Sequence, residues 1–189
     1  MRAAQAARLR EVLLDPAEAS AIELVAGARA AVLVPLHELD GELCAVFTQR
    51  PQDLPRHAGQ ISFPGGRAED ADADLIGTAL REAHEEIGLP PSAVDVLGAL
   101  RPLYVPPSDF AVYPVVGAIE RPAAWQPAAG EVEAVHELTL GELAASRGRA
   151  VIVLPDGEHE TPTFTAGGLV IWGATAFMVD DLLTRLALI

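Results

Sequence analysis

Three glutamates, Glu82, Glu85 and Glu86, carry the clearest chemical signal in this chain of 189 residues. The apolar residues Leu75, Ile76, Ala79, Leu80, Ala83 and Ile87 recur at helical spacing from Asp74 to Ile87, with only the tolerable Gly77 between them. At about 100° per residue the three glutamates fall within about 100° of one another, on the side away from that apolar stripe. Glu82 and Glu86, at i and i+4, have Cβ atoms about 5–6 Å apart, and like charges so placed destabilise an isolated helix by a few tenths of a kcal/mol. A hard divalent cation offsets that repulsion, because Mg²⁺ takes oxygen ligands and is usually held by one or two carboxylates with waters and substrate phosphates. Taken alone, Glu-x-x-Glu-Glu is also a common solvated helix face with Arg81 as a surface charge.

The stretch has firm boundaries. Gly88 stands where a left-handed residue closes a helix, Leu89 can fold back on the last turn, and Pro90 and Pro91 forbid continuation. The nine residues Arg81-Glu82-Ala83-His84-Glu85-Glu86-Ile87-Gly88-Leu89, preceded by Gly65-Gly66, resemble the second half of the Nudix box. The first half departs from it. Between Gly66 and Arg81 lie 14 residues, one more than the box has, and its expected Glu falls at Ala73, flanked by Asp72 and Asp74. Upstream, Phe47-Thr48-Gln49-Arg50 and Arg56-His57-Ala58-Gly59-Gln60-Ile61-Ser62-Phe63-Pro64-Gly65-Gly66 are similar to the segment that marks the coenzyme A pyrophosphatase branch of Nudix hydrolases, in which the longer spacing is common. Pro51 and Pro55 replace a small residue and a second Arg of that segment. Tyr104–Gly117 and Ile171-Trp172-Gly173-Ala174-Thr175-Ala176 extend the resemblance over roughly residues 30–185.

The resemblance implies an α/β fold, the Nudix α/β/α sandwich with a mixed β-sheet, and metal-dependent hydrolysis of the diphosphate of coenzyme A or acyl-coenzyme A to 3′,5′-ADP and (acyl) 4′-phosphopantetheine. Alternatives are a Nudix diphosphatase of NADH or ADP-ribose, or an idle Nudix domain that binds a nucleotide as regulator; retention of the carboxylates weighs against the last. Such chemistry puts negative charge on oxygens around the attacked phosphorus, which divalent ions and Arg groups neutralise. Glu82 and Glu86 are the expected ligands of Mg²⁺ or Mn²⁺, with Glu85 a ligand to a second ion or the base. By resemblance Arg81 holds a carboxylate of the box through an ion pair, and Glu131 stands where many Nudix enzymes place a further acid. Arg50, Arg56 and His57 are the candidates for substrate phosphates. Gly65-Gly66 is expected to turn tightly so that a carbonyl can approach the metal. Arg67 and His84 are expected in solvent, and Trp172 in the core as an anchor of the last helix, with ligand stacking as the alternative.

The remaining composition narrows the classes. The hydrophobic content is 50% and the net charge −14, which suits one globular domain and disfavours binding to nucleic acid or an anionic membrane. All 13 basic residues are Arg, so any phosphate clamp here uses the bidentate guanidinium fork. The single Cys44 lies in an apolar strand pattern and reads as buried filler. No apolar run approaches the roughly 18–20 residues that span a bilayer, and the basic start lacks the apolar centre of a signal peptide, so a cytoplasmic monomer or homodimer is expected.

The elements that must position the acids follow from pattern. Residues 1–189 are expected as one domain with 1–28 as a helical extension: a helix from Ala3 to Ala19 breaks near Asp15-Pro16. Arg29–Leu36 and Glu42–Gln49 form a hairpin about a turn ending in Asp-Gly. Pro51–Gly59 is a polar loop, Ile61–Phe63 a short strand, and Val94–Val105 and Ala111–Glu120 longer ones. Arg121–Gly130 is the nearest thing to a linker. Val132–His136, Ala150–Leu154, Thr161–Thr165 and Leu169–Trp172 read as strands, and Leu140–Ser146 and Ala174–Leu188 as helices. Strands with interspersed helices indicate a mixed sheet covered on both faces.

Overall fold

The computed structural model describes residues 1–53, 58–154 and 157–188. In chain order the elements are α1 (Ala3–Val12), α2 (Pro16–Ser20), β1 (Ala28–Leu39), β2 (Glu42–Gln49), β3 (Ile61–Ser62), β4 (Gly65–Arg67), α3 (Leu75–Ile87), β5 (Val94–Ala99), β6 (Leu103–Val105), β7 (Phe110–Ile119), β8 (Ala134–Thr139), α4 (Leu140–Ala145), β9 (Arg147–Leu154), β10 (Gly157–Ala166), β11 (Leu169–Ile171) and α5 (Gly173–Arg185). They form an α/β/α sandwich about a mixed sheet in which β1 runs parallel to β7 and every other pairing is antiparallel. Strands β9, β10 and β11 make a separate small sheet.

The near-continuous burial of β1 reflects cover on both faces. Ala31 and Leu33 point to α3, together with Val46, Ala111, Tyr113 and Val115. Ala30, Val34 and Leu36 point the other way, into a larger core with Leu9 of α1, Phe47, Phe63, Leu143, Phe164, Leu182 and Leu183. Leu9 and Leu13 thus bind the N-terminal helix to that core, and α1 and α2 part where Asp15 accepts the Ala17 and Glu18 N–H groups and Pro16 begins the second helix.

One departure from regular pairing positions the site. β1 and β2 face each other only over Leu36–Leu39 and Glu42–Ala45. Nearer the start of β1, Ala30, Ala31 and Val32 pair instead with Arg67, Gly66 and Gly65, while Thr48 and Gln49 of β2 pair with Ser62 and Ile61. The hairpin strands part, and β3 and β4 fill the opening.

The expected strand Val94–Val105 is two strands: the ladder of β5 with β7 bulges between Val96 and Gly98, and β5 ends at Ala99, which bridges to Leu14. The Leu100 N–H then turns to the Pro114 carbonyl, and Pro102 has no N–H to extend a ladder. The expected linker is not loose either: Gln126 and Ala128 donate their N–H groups to the Ile87 and Glu86 carbonyls, which fastens this run to the end of α3. Cys44 is buried, and burial pushes its thiol up, away from the reactive thiolate.

Candidate functional site

Helix α3 begins where Asp74 Oδ1 accepts the Gly77 N–H at 2.7 Å and ends where Gly88 takes the left-handed φ of 70°. Between those caps the sequence allows one docking. Leu75, Ala79, Ala83 and Ile87 bury against the sheet, which sets Glu82 and Glu86 beside the opening filled by β4.

The two glycines of β4 are required by space. Neither has a positive φ, and both lie in a strand instead of the expected tight turn. A Cβ on Gly66 would stand 2.5 Å from Glu82 Oε1, and one on Gly65 2.5 Å from the Ala31 carbonyl oxygen. Gly65 also donates its N–H to Glu86 Oε2 at 3.2 Å.

Glu86 is only 8% exposed. Burial pushes its carboxyl up to about 7, the charges of Glu82 and Glu131 act in the same direction, and the Gly65 N–H and Arg50 oppose them. Glu82 is raised as well, first by burial, against the pull of Arg81, with Glu85 and Glu131 adding to the rise. Arg81 organises the flank. Its Nε and Nη2 hold Asp72 at 2.9 and 3.1 Å, and its Nη1 donates to both Glu82 and Glu85 at 3.0 Å. A further bond runs from Nη2 to the Arg67 carbonyl. The Arg81 guanidinium holds Asp72 well below the usual carboxylate range, helped by the Glu69 N–H and the Thr78 hydroxyl. Asp72, the residue beside the expected Glu of the box, is the partner that pattern alone did not assign. Its separation from Arg81 by nine positions across a loop leaves no periodic trace.

The sequence candidates sort as follows. Glu82, Glu86, Gly65, Arg81 and Arg50 come together, and Glu131 reaches them electrostatically from the turn in which Val132 bonds back to Ala128. Arg50 Nε is buried without a hydrogen-bond partner among the described residues. Glu85 is exposed and held by Arg81. Arg56 and His57 lie outside the described residues. Arg67 and His84 are exposed, as expected, and Trp172 is 45% exposed, so it is no core anchor.

An all-oxygen donor set fits Mg²⁺ or Mn²⁺, and the buried Glu86 beside Glu82 is stabilised in its charged form by a cation. Among the described residues no group of three Asp, Glu, His or Cys side chains closes into a cage by itself. Carboxylates beside a half-buried guanidinium, where an α/β/α sheet opens, suit the class of hydrolases for phosphate-linked substrates.

The NUDIX domain model matches residues 27–154. The chain is 40% identical over 160 residues to an uncharacterized Nudix hydrolase, NudL, of Cronobacter sakazakii, covering 82% of this chain and 80% of that protein. It is 37% identical over 168 residues to the NudL of an Enterobacter species, covering 85% and 83%. Among solved structures, a MutT/nudix family protein from Enterococcus faecalis superposes with TM-score 0.56 at 16% identity, covering 87% of this chain and 64% of that one. The NUDIX domain of Shewanella oneidensis NrtR complexed with ADP ribose does so with TM-score 0.51 at 19% identity, covering 77% and 88%. The chain belongs to the Nudix family, with the fold of that family. It is a hydrolase acting on the pyrophosphate bonds of nucleoside diphosphate derivatives, in a family that generally requires divalent ions such as Mg²⁺ or Mn²⁺. Among the described residues no helix is long and apolar enough to cross a membrane.

Proposed function

We propose that the protein hydrolyses coenzyme A or acyl-coenzyme A to 3′,5′-ADP and (acyl) 4′-phosphopantetheine. The observation that carries this reading is Arg50, which lies in the segment similar to the coenzyme A pyrophosphatase branch. Its Nε is buried and unpartnered among the described residues, and its charge acts on Glu86. A half-buried guanidinium with an unpartnered Nε beside the carboxylates is placed for a substrate phosphate, in a bidentate, charge-assisted contact.

Glu82 and Glu86 would hold the divalent ion. When bound, it supplies charge neutralisation at the phosphate oxygens and lowers the pKa of a coordinated water. Arg81 keeps Glu82 and Glu85 in position, itself fixed by Asp72. Glu131, exposed and without an ion pair among the described residues, takes the proton of the attacking water, whereas Glu85 is engaged by Arg81. The water oxygen bonds to one phosphorus, and the bridging oxygen leaves with the other phosphate.

The test is product release from coenzyme A, dephospho-coenzyme A, NADH and ADP-ribose. We expect 3′,5′-ADP from coenzyme A as the preferred reaction. A charge-assisted contact contributes about 1.5–3 kcal/mol, so kcat/KM should favour coenzyme A over its dephospho form by about 10- to 150-fold, and Arg50→Ala should erase much of that preference. Preference for NADH or ADP-ribose would overturn the assignment in favour of a general dinucleotide diphosphatase.

A further inference from the structure

Trp172 is large, apolar and 45% exposed, although its neighbours in the chain are not free to move. Ile171 before it and Ala176 after it are fully buried, which fixes the end of β11 and the first turn of α5 around it. The indole is therefore held by the fold with nearly half of its surface left in solvent. It follows β11 of the small sheet, and that strand packs beside β3 of the large one. A Cβ on Gly173 would come within 3.8 Å of Gln60 Nε2. The Gln60 carbonyl accepts the Arg50 N–H at 3.0 Å, and the Arg50 charge acts on Glu86. Trp172, Gln60, Arg50 and Glu86 thus follow one another across the opening where β1 and β2 part.

We propose that the indole face of Trp172 is the platform on which the nucleobase of the substrate stacks. A substrate anchored by its diphosphate at Arg50 and the carboxylates has its nucleoside as the next rigid part, and an open aromatic face suits a flat heterocycle. Stacking asks for no particular hydrogen-bond pattern, because every base has a π-face. A flexible, amide-bearing arm such as pantetheine gains little from one exposed flat face. This inference rests on the diphosphatase reading for its substrate, but it concerns the base and not the bond that is cut.

The experiment uses the full-length protein with Trp125, the only other tryptophan, replaced by phenylalanine, so that emission reports Trp172 alone. 3′,5′-ADP should quench this emission and 4′-phosphopantetheine should not. In steady-state assays Trp172→Ala should lower kcat/KM by about 5- to 150-fold, the range set by removal of one base–aromatic stack. The loss should fall in KM, and Trp172→Phe should recover most of it. Quenching by 4′-phosphopantetheine alone, or a KM indifferent to Trp172→Ala, overturns the assignment. The two readings fail separately: quenching by 3′,5′-ADP in a protein that splits no coenzyme A sinks only the proposed reaction, whereas a coenzyme A hydrolase whose Trp172 does not respond sinks only the platform.

Discussion

On one face of the large sheet the cover is made of Phe47, Phe63, Phe164, Leu143, Leu182 and Leu183, with the Phe47 and Phe63 rings stacked at 4.6 Å. On the other, four alanines, Ala31, Ala79, Ala83 and Ala111, each at 1% exposure or less, sit among larger residues such as Leu33, Leu75, Ile87 and Val115 where α3 meets the sheet. Bulky side chains fill volume and carry most of the apolar burial. Alanines fill little and let a helix come close to the strands beneath it. The difference separates two tasks: the phenylalanine–leucine face holds the molecule together, and the alanine face brings a carboxylate-bearing helix down until Glu82 and Glu86 meet the glycines of β4.

Substitutions should therefore split into those that stop chemistry and those that unfold. Glu86→Gln keeps shape and removes charge, so turnover should fall by about 10²–10⁴, the range for loss of a major charge-stabilising or acid–base group. The variant should be at least as resistant to urea as the parent at pH 8, since a buried charge is gone. Activity within threefold of the parent would break the comparison. On the opposite face, Phe164→Ala should cost about 3–5 kcal/mol in urea unfolding, with kcat of the folded fraction nearly unchanged.

The pH dependence of stability sharpens the contrast, because only the α3 face buries a carboxylate without an ion pair among the described residues. Glu86 is pushed up to about 7 from an ordinary 4.5. Below the lower value the carboxyl is protonated in both folded and unfolded chains. Between the two values only the unfolded chain gives up its proton, so stability present in full below about pH 4.5 is lost as pH rises through about 7. At about 1.36 kcal/mol per unit this amounts to about 3 kcal/mol, and the rise at Glu82 has the same sign. Urea unfolding in EDTA should show this loss between pH 5 and 8, and Mg²⁺ should reverse it; stability flat or rising with pH in EDTA would refute it. The smallest effect expected is for Gly66→Ala, whose new methyl meets the flexible end of Glu82. The protein should fold with little penalty, yet displacement of the proposed metal ligand by about 1 Å can cost about 10² in rate. An active Gly66→Ala enzyme would mean that Glu82 is not held where it works.

Much of the α3 face was legible in the sequence, because its signals are local. Periodicity and the Gly88 stop mark the helix, and the spacing of Glu82, Glu85 and Glu86 marks their shared flank. What was not legible depends on parts of the chain far away. Gly65-Gly66 reads as a turn until β1 is known to lie beside it, and Asp72 has no visible tie to Arg81 until the loop between them closes. Trp172 reads as core because tryptophans at strand ends usually are, and only the burial of Ile171 and Ala176 shows that it must face out. The run Arg121–Gly130 looks like a linker since its binding is by backbone N–H groups, which leave no mark in side-chain pattern.

The parallel pairing of β1 with β7, in which Ala28 lies opposite Phe110, has a consequence for how the molecule is made. α3 lies inside the stretch of chain that this pairing closes, and contacts so distant in sequence form slowly because loop closure must come first. α3 docks chiefly on β1 and β4 and also touches β7, so its full docking surface exists only once β1 and β7 have met. In refolding, pulse-labelled amide exchange should find Ala83 and Ile87 protected no earlier than Val32 and Val34, and the site should be among the last parts of the protein to exist.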